Sequence, residues 1–138
     1  MERTKLSLSI LPKRLAVCRL EATAEIPAWA ISGTGFYSIT RTEEELSIVC
    51  LEGHVPEGIP SEKNWCAIKV MGPLDFSLTG ILASLANPLA DAGISIFAIS
   101  TYDTDYLLVK ADKLEEALAL LVVFCRIVTF VEGNQNVL

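Results

Sequence analysis

Basic charge is scarce in this sequence. Eleven Lys and Arg stand against 17 Asp and Glu, giving a formal net charge of -6 and a pI near 4.7. A phosphate-backbone partner normally demands a basic face that displaces counterions, so nucleic acid is not an expected partner. Histidine occurs once, as His54, inside a breaker-rich stretch with no nucleophile or ligand partner near it in sequence. Neither a triad nor a metal site assembles around it, and it reads as a solvated loop residue. Cys18, Cys50, Cys66 and Cys125 form no C-x-x-C pair. Each sits in an apolar pattern and reads as a reduced core thiol. No phosphate loop, nucleophile or metal cluster is visible, so neither catalysis nor a cofactor is expected.

Long apolar runs are missing too. The residues after Met1-Glu2-Arg3-Thr4-Lys5 alternate where a secretory signal would be continuously apolar, which predicts a cytoplasmic protein. The greasiest segment, 117–131, is broken by Arg126 and preceded by Glu115-Glu116. It falls short of the roughly 20 apolar residues of a spanning helix, so a membrane is not expected and a buried helix and strand are.

What is present is ample core material. With 51% hydrophobic residues, 138 residues hold one ordinary domain or two very small ones. Leu6, Leu8 and Ile10 alternate with Lys5, Ser7 and Ser9 in the two-residue period of a strand, which Pro12 ends. Residues 15–20 and 35–40 predict two more strands, the latter entered through Gly33 and Gly35. Thr42 and Glu45 have capping-box spacing, predicting one helical turn before a strand at 46–51. Breakers gather at 53–61, and the boundary falls there, dividing the chain into 1–60 and 61–138.

The second half is more sharply written. A strand at 65–71 and a Gly72-Pro73 turn precede a helical face of Leu78, Ile81, Leu82, Leu85, Leu89 and Ala92, stopped by Gly93. Residues 94–100 and 106–109 form a hairpin around an Asp103-Thr104 turn, Leu114, Leu118 and Leu121 mark a second helix, and 127–131 gives a final strand. The order strand, helix, strand, strand, helix, strand is the ferredoxin-like split pattern of an α+β protein.

The stretch Val70-Met71-Gly72-Pro73-Leu74-Asp75-Phe76-Ser77-Leu78-Thr79-Gly80-Ile81-Leu82, followed by the segment from Ala92 to Val109, resembles ACT domains. The likeness is to small tandem-ACT bacterial proteins related to the eukaryotic cytosolic arginine sensor and to aspartate kinase regulatory domains. It is strongest over 65–131. Through Leu6 to Leu11 and Phe36 to Thr40 the first half resembles a degenerate partner unit. The resemblance implies two ferredoxin-like βαββαβ units in tandem, a homodimer, and an amino acid held at an ACT–ACT interface. It also implies a regulatory effect on an assembly or a separate enzyme.

The implied ligand-binding set falls in two places. Asp75, Phe76, Ser77, Thr79, Gly80 and Ile81 lie where the first strand of the second half hands over to its helix, whose unpaired N–H groups favour a carboxylate. Asp75 is read first as a helix cap. Gly80 serves either close ligand approach or tight helix–strand packing. Ile99, Ser100, Thr101, Asp103 and Asp105 lie at the hairpin end, where a carboxylate can pair with an α-ammonium or a basic side chain. Aspartate also favours turns for its own sake, so both roles stand for Asp103. Trp29 and Trp65 read as core residues before interface anchors.

Overall fold

The computed structural model describes residues 6–71 and 80–129, which divide into two compact units. One comprises Lys13–Trp65. The other combines 6–12 with 66–71 and 80–129. Strand β5, Ser61–Val70, serves both, its first half in one unit and its second half in the other.

In the Lys13–Trp65 unit, β2 (Leu15–Leu20) pairs antiparallel with β4 (Leu46–Leu51), which pairs antiparallel with β3 (Ser38–Arg41). The other side of β2 receives the first half of β5. Strand alternation puts Ala16 and Cys18 of β2 and Leu46, Ile48 and Cys50 of β4 on one face, where they bury together. No residue from 13 to 65 is in an α-helix, so this face is covered by irregular chain. A short 3-10 turn, Ala28–Ala30, buries Ala30, and Trp29 packs onto the cluster as a core residue. Arg41 holds that cover by donating to the carbonyls of Ala22 and Ala24. Such bonds replace the ladder that a helix would have provided for itself.

The helical turn expected at Thr42 does not form. Thr42 N–H donates to the Glu45 carbonyl (2.9 Å), and Thr42 Oγ1 accepts from Glu44 and Glu45 N–H (3.1 Å each), closing the β3–β4 hairpin. The hydroxyl performs capping chemistry, but flanking strands already paired in register leave the turn no helix to cap.

The second unit contains the split pattern with one addition. Its helices are α1 (Ile81–Asp91) and α2 (Leu114–Leu121), and its strands β6 (Ile96–Ser100), β7 (Asp105–Lys110) and β8 (Cys125–Thr129) join the second half of β5. The sheet runs β6, β7, β5, β1, β8, where β1 is Leu6–Ile10. A plain split βαβ would place the last strand beside β5. Here β1 occupies that slot, antiparallel to β5 (Leu8 opposite Val70) and parallel to β8 (Leu6 opposite Cys125 through Ile10 opposite Thr129). Residues 6–12 thus join the second unit, although the sequence grouped them in 1–60. Alternation identified β1 as a strand but carried no information about its neighbours.

Leu8 is fully buried with Ile68, Val70, Leu85, Leu89, Leu107, Val109, Ala117 and Leu121 in the core beneath α1 and α2. Gly93, at φ 77°, ends α1 as its sequence suggested: its N–H donates to the Ala90 carbonyl and the Ile94 N–H to the Leu89 carbonyl (both 2.9 Å).

Cys18 and Cys50 are buried neighbours in hydrogen-bonding contact, and the Cys50 thiol also lies 3.6 Å from the Leu51 carbonyl. Hydrogen bonding to Cys18 and burial push the Cys50 thiol far above its ordinary range, so it stays protonated at neutral pH. We expect Cys18, Cys50 and Cys125 to resist iodoacetamide in the native protein while half-buried Cys66 reacts first, and all four to react in urea, as read by mass spectrometry. We also expect Leu8→Ala to cost about 2–5 kcal/mol in urea denaturation, because a cavity opens between two strands and two helices.

Candidate functional site

The end of the sheet at which β5 finishes is built around one buried hydroxyl. Thr104, 6% exposed, donates its Oγ1 hydrogen to the Val70 carbonyl, fastening the β6–β7 hairpin to the end of β5. The same residue organises its own turn. Thr101 N–H donates to the Thr104 carbonyl (2.7 Å), and Thr104 N–H donates to Thr101 Oγ1 (3.2 Å). Tyr102 and Asp103 are therefore left projecting from a rigid two-residue tip, both exposed. At its base Ser100 faces Asp105 across the ladder, and Ser100 Oγ donates to Asp105 Oδ1 at 2.5 Å.

Because β7 begins where β5 ends and is antiparallel to β6, β5 and β6 are parallel. The helix between two parallel strands must run back along them, so α1 starts at the hairpin end of the sheet. Gly80 is its N-cap, at φ 78° and ψ 0°, and α1 has no side-chain cap hydrogen bond. The first-turn N–H groups of this eleven-residue helix thus point toward the hairpin end, and their N-cap residue, a glycine, has no side chain to place on them.

The N-cap residue of α1 is Gly80, and Asp75, read as a cap from the sequence, lies outside the described residues. This geometry decides between the two readings of Gly80. Among the described residues a Cβ placed on Gly80 would meet nothing within 4 Å, so tight packing of α1 on the described strands is not the reason for glycine. The left-handed φ is, since a side chain there costs roughly 1–2 kcal/mol.

Of the expected ligand-binding residues, the structure places Gly80, Ile81, Ile99, Ser100, Thr101, Asp103 and Asp105 at this end of the unit. Asp75, Phe76, Ser77 and Thr79 lie outside the described residues. Asp103 is exposed, while Asp105 is half-buried and already engaged by Ser100. Among the described residues, no group of three or more His, Cys, Asp or Glu could hold a metal ion. No helix among them is long and apolar enough to cross a membrane.

The Lys13–Trp65 unit has a pocket that the sequence reading missed, of about 330 Å³, lined by Lys13, Arg14, Leu51, Glu52, Gly53 and His54. Its residues come from two short segments far apart in sequence. The available signal was the paired bases Lys13-Arg14 and the chain's lone histidine, which separately look like ordinary surface.

Comparison with known proteins places these features in a family. A family model described as an ACT domain matches residues 60–122, and an N-terminal-domain model matches 13–58. The putative protein CASTOR3P of Homo sapiens is 34% identical over 77% of this chain and 74% of its own length. The chain belongs to the ACT-domain family. This ACT protein is also 31% identical to the Homo sapiens cytosolic arginine sensor for mTORC1 subunit 1, over 65% of its length but only 30% of the sensor's. Among solved structures, one of an Agrobacterium tumefaciens protein matches at TM-score 0.87 and 39% identity, covering 97% of this chain and 100% of that one. The ligand-free regulatory subunit of Thermus thermophilus aspartate kinase shares the fold at TM-score 0.56 and 11% identity, covering 85% and 95%.

The Thr104 bond supplies a direct check on this architecture. We expect Thr104→Val to cost about 1–3 kcal/mol, because it leaves a strand-end carbonyl without its donor. Faster amide exchange at Thr101 and Thr104, read by NMR, would accompany that loss if the hairpin is pinned through this hydroxyl.

Proposed function

We propose that this ACT protein is a regulatory module that binds a free amino acid and does not turn it over. The carrying observation is the pairing of opposite electrostatic characters at one end of the 6–12 and 66–129 unit. The N-terminus of α1, whose N-cap Gly80 supplies no side-chain bond, favours an anion, and the Asp103 carboxylate on the hairpin tip favours a cation. An α-amino acid carries both charges on adjacent atoms. Ser100 and Thr101 supply further backbone and hydroxyl groups at the strand end, and Asp75, Phe76, Ser77 and Thr79 complete the proposed site from the segment leading into α1.

The ligand would be held where this unit meets a neighbouring ACT unit, in a cytoplasmic homodimer, and binding would act on a separate enzyme or assembly. The relative named for sensing arginine supports the amino-acid class, and the acidic tip favours a basic member of it. A second reading, an assembly module without a ligand, is favoured by one observation. Among the described residues β6 pairs only with β7, and Tyr102 and Val123 beside this framework expose 81% and 77% of their surface.

Thermal-shift measurements with each of the twenty amino acids separate the two. Ligand at a hundredfold excess over Kd stabilises the native state by about 2.7 kcal/mol, which raises the melting temperature by several degrees. We expect one amino acid, most strongly a basic one, to do so, and Asp103→Ala to abolish the effect. No shift from any of them, together with a particle size that grows with protein concentration in light scattering, would establish the assembly reading instead.

A further inference from the structure

The pocket in the Lys13–Trp65 unit is assembled with more care than a surface dimple requires. Arg14 and Glu52 are brought together by the Glu52 N–H donating to the Arg14 carbonyl (3.0 Å). A third segment then fixes both side chains. Asn64, at φ 66°, is the one described non-glycine residue in the left-handed region, and its N–H donates to Glu52 Oε1 (2.9 Å). Arg14 Nη1 donates in turn to Asn64 Oδ1 (3.3 Å). Asn64 sits where the β2–β5 register slips, between Leu15 opposite Trp65 and Val17 opposite Glu62. The bulge is therefore clamped by two of the pocket's charged residues, and bulges of this kind often re-aim side chains at a site.

This arrangement separates the charges by use. Glu52 is the only acid among the lining residues, and one of its carboxylate oxygens is committed to a backbone N–H. Arg14 gives Asn64 one bond from a planar fork of five donors, and Lys13 and His54, both with N–H groups, also line the pocket. The wall is apolar at Leu51, whose side chain is wedged against Gly35: a Cβ there would lie 2.5 Å from Leu51 Cδ1. At Gly53 nothing lies within 4 Å of where a Cβ would be, so its backbone is open to an approaching group.

The geometry points to a binding site for a small organic oxyanion, a carboxylate or a phosphate ester, gripped by Arg14 and Lys13 with its carbon body against Leu51. A volume of about 330 Å³ exceeds the needs of a bare inorganic ion and lies at the lower end of the roughly 300–1,000 Å³ of small-molecule sites. The chain's net charge of -6 repels anions at a distance, so an anion held here is held by these placed donors and not by a diffuse field. The pocket is built from residues of the Lys13–Trp65 unit alone, so the assignment stands whether or not an amino acid binds to the other unit.

The test is a ¹H–¹⁵N NMR titration of the full chain with succinate and with glycerol 3-phosphate, at ionic strength held constant with sodium chloride. Saturable shifts of the Gly53 and His54 amides with succinate alone identify the carboxylate class, and with glycerol 3-phosphate alone the phosphate class. With both, they identify any oxyanion. Arg14→Gln is expected to weaken binding about tenfold or more, the equivalent of one charge-assisted hydrogen bond. Lys13→Gln leaves the Arg14–Asn64 clamp in place and is expected to weaken binding as well, so it decides the matter should Arg14→Gln fail to fold. Absence of saturable shifts at these amides with either compound, equal shifts with chloride alone, or undiminished binding by folded Lys13→Gln would overturn the assignment.

Discussion

One short strand governs the second unit. Leu6–Ile10 contributes hydrogen bonds on both edges, antiparallel to β5 and parallel to β8, and sends Leu8 into the centre of the core. Without it, β5 and β8 would face each other across a gap one strand wide, roughly 4.8 Å on either side of the missing strand, and the carbonyl and N–H groups on their facing edges would lack partners. The position of β5 fixes Val70, Val70 anchors Thr104, and Thr104 orients the tip that carries Asp103. Backbone pairing at one side of the sheet thereby reaches the hairpin end through a single buried hydroxyl.

The two units solve the problem of covering a sheet face by different means. Where α1 and α2 are available, an apolar face is covered by Leu85, Leu89, Ala117 and Leu121 from regular helices that satisfy their own backbones. In Lys13–Trp65 the cover is irregular chain, so its carbonyls need outside donors, and Arg41 provides two. That difference bears on chemistry. A helix start is an anion-favouring element built from backbone, whereas the helix-free unit has to gather positive charge from side chains, as it does with Lys13 and Arg14.

The sequence made the second unit largely readable because its elements carry clean periods. Leu85 and Leu89 fall on a helical stripe, Gly93 stops it, and the alternation through 94–109 gives the hairpin that brings Ser100 opposite Asp105. Pairing between distant segments was not readable in this way. Nothing in Leu6 to Ile10 distinguishes a strand that adds to its near neighbours from one that inserts between β5 and β8. Thr42 displayed the right local chemistry in the wrong context, since capping and turn-closing hydroxyls accept from the same N–H groups. Gly80 was legible as special, but φ and not space is what makes it so. Arg14, Glu52 and Asn64 escaped notice because a clamp of three residues from three segments leaves no spacing to recognise.

The Lys13–Trp65 unit is spliced into the middle of the other unit's strand pair. Leu11 N–H donates to the Ala67 carbonyl at 2.9 Å, so the chain leaves and re-enters at neighbouring points on β1 and β5. Its own ladders all close within residues 13–65, but the β1–β8 ladder joins segments separated by nearly the whole described chain. Loop-closure entropy makes such a ladder slow to form. In the order of synthesis the inserted unit can mature early, while β1 keeps an unpaired, aggregation-prone edge until β8 has left the ribosome.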